Sequence, residues 1–130
     1  MDWTCLYSKK QVEDFMNIES EIFNKTNLIE WETVADKLQR KIMGYNNEIM
    51  MVQAKFEKGG IGVRHEHYHS QTTYVASGKF EVTINNKTEV LSEGDGFYTP
   101  PHEFHGAVCL EDGILIDVFS PARTDFLENK

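Results

Sequence analysis

The chain has 130 residues, 40% of them hydrophobic and 12% aromatic, and carries a formal net charge of −8. That length supports one domain burying about two thirds of its unfolded surface, and the acidic balance argues against nucleic acid, whose phosphates require a basic face. No apolar run approaches the ~20 residues that span a bilayer, and the opening MDWTCLYSKK lacks the basic end and long apolar core of a secretory leader, so a cytoplasmic protein with no membrane partner is expected.

Residues 9–24, KKQVEDFMNIESEIFN, predict a helix. Val12, Phe15, Met16, Ile22 and Phe23 recur at helical spacing and give it one apolar face. Ser8 and Gln11 have the Ser-x-x-Gln form of a capping box, and the polar NKTN at 24–27 ends the pattern. This helical arm, residues 1–28, is expected to pack on the body, residues 29–130, or on a second subunit.

From Leu28 onward the pattern shortens to strands and turns. Strands are predicted at Leu38–Met43 and Ile49–Phe56, separated by the turn Gly44-Tyr45-Asn46-Asn47-Glu48. Further strands follow at Thr72–Ser77, Lys79–Ile84 and Lys87–Leu91, with Asn85-Asn86 as a two-residue hairpin, because asparagine tolerates positive φ. Phe97–Thr99, Gly106–Leu110 and Gly113–Phe119 complete the set. Many short strands parted by Gly, Asn and Pro indicate an antiparallel sandwich or barrel. The fold class is all-β. Cys5 and Cys109 are too few for a disulfide framework and read as reduced thiols.

All five histidines fall in two clusters. His65, His67 and His69 alternate within GGIGVRHEHYHSQTTYVASG, residues 59–78, with Gln71 next on the same parity. His102 and His105 lie in GDGFYTPPHEFH, residues 94–105. In an extended strand, residues two apart face the same way, so His65 and His67 can present two imidazoles side by side.

The first stretch resembles the first cupin motif through Gly59, His65, His67 and Gly78, with Gln71 where most cupins have glutamate. The second resembles the second cupin motif through Gly94, Pro100 and His105, with His102 and Cys109 departing from it. Among cupins, RKIMGY, FEKGGIG, the HxHxHxQ pattern and the ending DVFSPARTDFL are similar to KdgF-type proteins, over roughly residues 30–127. The resemblance implies a double-stranded β-helix, the cupin jelly-roll barrel. It also implies a metal site with His65, His67, Gln71 and His105 as ligands. Three neutral imidazoles and one oxygen suit a divalent first-row ion such as Zn, Ni, Fe or Mn. The rival reading is a polar barrel lining without metal. His69 is expected near the site mouth, His102 in an exposed loop, and Cys109 as a small buried hydrophobe.

A second constellation lies on the last strand. Leu115, Asp117 and Phe119 share one face, and a lone aspartate in an apolar strand needs a reason, since burying an unpaired carboxylate is expensive. Either Asp117 forms a structural salt bridge, for instance to Arg123, or it faces the cavity as an acid–base group. The resemblance favours the second, with Arg123 holding a substrate carboxylate through its fork and Phe119 packing on sugar carbons. Arg64 and Glu66 have the outward parity.

The activity that the resemblance implies is ketonisation of a small-molecule sugar acid. A 4,5-unsaturated uronate from pectin or alginate breakdown is opened and tautomerised to a 5-keto-4-deoxyuronate. Two other classes remain open: a metal-dependent cupin dioxygenase and a non-catalytic sugar-binding cupin. The outward face Ile114, Ile116 and Val118, together with the stripe of residues 12–23, requires cover and predicts a homodimer.

Overall fold

The computed structural model describes residues 17–128, and among them the alternation of apolar and polar side chains becomes strand almost everywhere from Glu32 onward. The strands are β1 (Glu32–Ala35), β2 (Leu38–Tyr45), β3 (Met50–Phe56), β4 (Ile61–His65), β5 (Ser70–Ile84), β6 (Lys87–Ser92), β7 (Gly96–Thr99) and β8 (His105–Ser120). All pairings are antiparallel. The path runs β1-β2-β3-β8-β5-β6, with β4 added to β8 and β7 to β5. Strand β8 is thus the hub, pairing with β3, β4 and β5.

Two pairs of expected strands are each one long strand. Residues 72–77 and 79–84 both belong to β5, and residues 106–110 and 113–119 both belong to β8. The register between them slips between Val75 and Phe80. There Gly78 adopts φ +85° against the backbone of Asp112 and Gly113, and Gly113 lies against Ser77. A Cβ on either glycine would strike backbone, so only glycine permits this approach. The shift lets one strand carry His105 at one end and Asp117 at the other into a shared interior. Asn85 and Asn86 have φ 47° and 67°, as the expected hairpin turn demands.

Sequence periodicity missed two strands. β1 is short and mostly exposed, and β4 (IGVRH) keeps Ile61 and Val63 exposed, so neither shows a clean inside–outside alternation.

The inward residues fill two apolar clusters. One gathers Ala54, Phe56, Val75, Phe80, Val82, Cys109 and Leu115, with the Phe56 and Phe80 rings edge to face at 5.2 Å. The other gathers Met50, Val52, Phe119 and Ala122. At about 25 cal/mol per Å² of apolar area, such rings and branched chains contribute about 2 kcal/mol each. Cys109 is buried as expected, and burial raises its thiol pKa, which leaves it inert.

The expected helix over 9–24 requires correction. Residues 9–16 lie outside the described residues, and 17–24 are not helical. Several of their backbone groups pair with the end of β2 and the turn after it rather than along a helix. Glu19 bridges to Asn46, the Ser20 amide donates to the Tyr45 carbonyl at 2.9 Å, and the Ile18 amide donates to Asn47 Oδ1 at 2.7 Å. Ile22 and Phe23, members of the proposed stripe, are exposed. No helix among the described residues is long and apolar enough to cross a membrane.

Candidate metal centre

His65 closes β4 and His105 opens β8, and the two are registered partners with ring centroids 4.4 Å apart. His67 joins them at 5.4 Å from the His65 ring and 4.8 Å from the His105 ring. The expected strand parity is not what places it. β4 ends at His65, and His67 sits in the connection to β5. That connection is pinned by the His102 amide, which donates to the His67 carbonyl at 2.8 Å. One nitrogen from each of the three rings lies within 4.8 Å of the others.

The rings are oriented by the backbone. Nδ1 of His65 meets the Val63 carbonyl at 2.7 Å, that of His67 the His69 carbonyl at 2.9 Å, and that of His105 the Glu103 carbonyl at 3.0 Å. A carbonyl only accepts, so each neutral ring carries its proton on Nδ1 and keeps its Nε2 lone pair. Burial lowers the pKa of His65, and it lowers that of His105 to about 4. Both rings are therefore neutral at ordinary pH, which is the form a metal takes.

Gln71 begins its reach from β5. Its Oε1 stands 2.9 Å from His67 Nε2. With the His67 proton on Nδ1, both of these atoms are acceptors. Two lone pairs face each other at that separation, an arrangement a cation between them would relieve. The donor set fits a divalent ion, for which His65, His67, His105 and Gln71 offer three imidazoles and one amide oxygen.

The remaining expected residues fall on the same cavity. It encloses about 410 Å³ and is lined by His65, Gln71, His105, Asp117, Phe119 and Arg123, with apolar walls that include Val52, Phe56 and Leu115. Asp117 sits on β8 across from Thr73 of β5. Its Oδ1 accepts from Thr73 Oγ1 at 2.7 Å and from Gln71 Nε2 at 3.2 Å. Burial still dominates those bonds and pushes its pKa up to about 6.

The suggested Asp117–Arg123 salt bridge is absent. Arg123 pairs with Asp125 at 2.9 Å, and its guanidinium lies 4.2 Å from the Phe126 ring centroid and 5.2 Å from that of Phe119.

Other expectations divide. Arg64 and Glu66 are exposed, and His102 is an exposed loop residue. His69 is buried rather than at the mouth, against Tyr68 and edge-on to His67 and Phe119. Sequence reasoning missed Thr73, Arg40 and Phe126. Thr73 shares the Gln71 parity, which was the available signal. Arg40 lies over the Phe126 ring at 3.9 Å and pairs with Glu32 at 2.7 Å, and both aromatic and guanidinium border the cavity.

Comparison with known proteins agrees with this architecture. Residues 52–119 match the cupin domain family. The pectin degradation protein KdgF of Dickeya dadantii (strain 3937) is 46% identical over 99 residues, covering 75% of this chain and 90% of that protein. The chain belongs to the cupin family, beside KdgF. Among solved structures, an RmlC-like cupin from Shewanella frigidimarina NCIMB 400 superposes with a TM-score of 0.81 at 47% identity, covering 83% of this chain and 97% of that one. KdgF from Halomonas sp. superposes with a TM-score of 0.79 at 40% identity, covering 82% and 99% respectively. Within this cupin, the side chain standing where the common cupin motif has a glutamate is the neutral amide of Gln71.

Proposed function

We propose that this cupin ketonises 4,5-unsaturated uronates in pectin or alginate breakdown. A divalent first-row metal is held by His65, His67, Gln71 and His105, and Asp117, Phe119 and Arg123 handle the sugar acid. The similarity to a pectin degradation protein supports the substrate class. The observation that carries the chemistry is Asp117, a carboxyl group with its pKa raised to about 6, hydrogen-bonded to the same Gln71 amide that faces the imidazoles.

When bound, the metal supplies Lewis-acid polarisation of a substrate oxygen. The chain's own residues account for the rest. Ring opening breaks the bond from C1 to the ring oxygen while the C1 hydroxyl proton passes to that oxygen, leaving an aldehyde at C1 and an enol at C5. Protonation of C4, with loss of the enol O–H proton, then gives the 5-keto product. No oxidant enters, and the net change is an isomerisation. Asp117, titrating near neutrality, can deliver the proton to C4 and recover it from the enol oxygen. Arg123 holds the carboxylate, and Phe119 backs the sugar carbons. The apolar walls formed by Val52, Phe56 and Leu115 lower the local dielectric, which strengthens charge interactions beside them.

Added to a freshly released unsaturated uronate, the protein is expected to accelerate loss of the ultraviolet absorbance of the conjugated enoate. Unchanged decay with metal-loaded protein would refute this activity. Oxygen uptake in the same assay would instead favour the dioxygenase class. The protein is further proposed to act in the cytoplasm as a homodimer formed through the outer face of the sheet around Ile116.

A further inference from the structure

A glutamine ligand has two chemically different ends, and something must decide which one meets the metal. The alternative orientation of Gln71 would direct its NH₂ group at the His67 lone pair, an acceptable hydrogen bond that would displace the oxygen from the imidazoles. Neighbouring groups on the other side decide the matter. Thr73 is 3% exposed and Gln71 6% exposed, so water cannot adapt to either orientation. Thr73 Oγ1 lies 2.7 Å from Asp117 Oδ1 and 3.0 Å from Gln71 Nε2. A hydroxyl has one proton. Given to the Asp117 carboxylate, that proton leaves a lone pair facing Gln71, and a lone pair is satisfied only by an N–H. Asp117 Oδ1, at 3.2 Å, makes the same demand.

We propose that Thr73 is a positioning residue that fixes the Gln71 amide with its oxygen toward the metal, and that this Gln71–Thr73–Asp117 arrangement requires a neutral ligand at position 71. The inference rests on the metal reading given above. A glutamate at 71 would bring a carboxylate oxygen against Asp117 and remove both donors, so the departure from the common cupin glutamate has a local cause. The β5 parity that turns Gln71 inward turns Thr73 inward with it. Their partner on β8 is set by register, since Thr73 is opposite Asp117 and Gln71 opposite Phe119.

The experiment compares Thr73→Val, which keeps the shape and loses the hydroxyl, with Thr73→Ser, which restores it. Affinity for Zn and Ni is measured by competition with a chromophoric chelator, alongside the melting temperature of the metal-free proteins. Loss of an outer hydrogen-bond partner typically weakens metal binding by about 10–100-fold. Thr73→Val is expected to fall in that range, and Thr73→Ser to recover to within about threefold of wild type. Wild-type metal affinity in folded Thr73→Val would overturn the proposal and leave the metal site standing. Wild-type protein that takes up neither ion would overturn the metal reading, and the role of Thr73 with it. Should Thr73→Val fail to fold, the same hydroxyl is removed on an Asp117→Asn background, where no buried carboxylate is left short of a donor. The double variant must then bind metal about tenfold or more weakly than Asp117→Asn alone, and equal affinity would overturn the proposal.

Discussion

Arg123 spends its guanidinium fork on Asp125, with Nε 3.0 Å from Oδ1 and one terminal nitrogen 2.9 Å from Oδ2. The fork proposed to hold a substrate carboxylate already holds a carboxylate of this chain, in the same bidentate geometry. The Asp125 side chain is 52% exposed and that of Arg123 12% exposed, so water screens the pair from the Asp125 side. Asp125 is therefore a weak internal competitor for the incoming acid. Asp125→Asn is expected to lower KM by about two- to fivefold with kcat little changed. A higher KM would mean that Asp125 aims the guanidinium rather than competes for it.

Arg123→Lys keeps the charge but loses both the fork and the flat contact with Phe126 and Phe119. KM is expected to rise by roughly tenfold, and kcat to fall if orientation of the sugar also suffers. An unchanged KM in steady-state assays would remove Arg123 from the substrate site.

Asp117 carries a prediction with two signs. Asp117→Asn keeps an acceptor for Thr73 and Gln71 but cannot transfer a proton, so kcat should drop by roughly 10²–10⁴-fold. Stability should move the other way. Burial raises the Asp117 pKa from its ordinary 3.8 to about 6. Between those values the folded chain holds a proton that the unfolded chain has lost, so stability falls as pH rises through the window. Above pH 6 the full penalty is present, at most ~3 kcal/mol. Metal-free Asp117→Asn should thus melt higher than metal-free wild type at pH 7, with the difference vanishing toward pH 4. An asparagine variant less stable at pH 7 would show that the carboxylate is structurally satisfied where it lies.

Much of this was legible in the sequence, for identifiable reasons. Alternation such as Met50, Val52, Ala54, Phe56 fixes both a strand and its buried face, and Asn85-Asn86 fixes a turn. Histidine clustering marked one site because few other roles segregate a residue type so sharply. What stayed illegible depends on distant segments. That 72–77 and 79–84 are one strand follows from the contact of Gly78 with Gly113, 35 positions away (113 − 78). The helical spacing around Ile22 failed because the amides at 18 and 20 found partners at 45–47. Asp125 as the partner of Arg123, in place of Asp117, follows from the fold of the 3₁₀ turn Thr124–Leu127. Local pattern finds faces, whereas pairing across the barrel needs register.

The outer face of the sheet supports the assembly prediction. Met51, Val118, Thr72 and Tyr98 are successive registered partners on β3, β8, β5 and β7, as are Gln53, Ile116 and Tyr74 on the first three of these. Registered partners share a face, so exposed Met51, Tyr74 and Tyr98 join half-buried Ile116 and Val118 in one apolar band. Light scattering at micromolar concentration should return twice the 15.0 kDa chain mass, and Ile116→Asp should return the monomer. A wild-type mass of one chain would exclude the dimer.

The metal site makes the last prediction, in which pH and mutation can be played against each other. His105 titrates near 4 and the His65 pKa is also lowered, so protons do not compete for these lone pairs at neutral pH. Metal bound at pH 7 should remain at pH 6 and be lost as pH falls toward 4, where the imidazoles charge. The same protonation costs stability. The unfolded chain binds protons below its ordinary histidine value of 6.5 while the folded rings resist, so stability falls with decreasing pH across 6.5 to about 4. Elemental analysis of His65→Ala/His67→Ala protein at pH 7 should find no first-row metal. His102→Asn is the control: it alters an exposed loop histidine at φ 66°, a conformation asparagine tolerates, and should keep full occupancy. Metal retained in the double alanine variant, or lost with His102, would move the site away from His65, His67, Gln71 and His105.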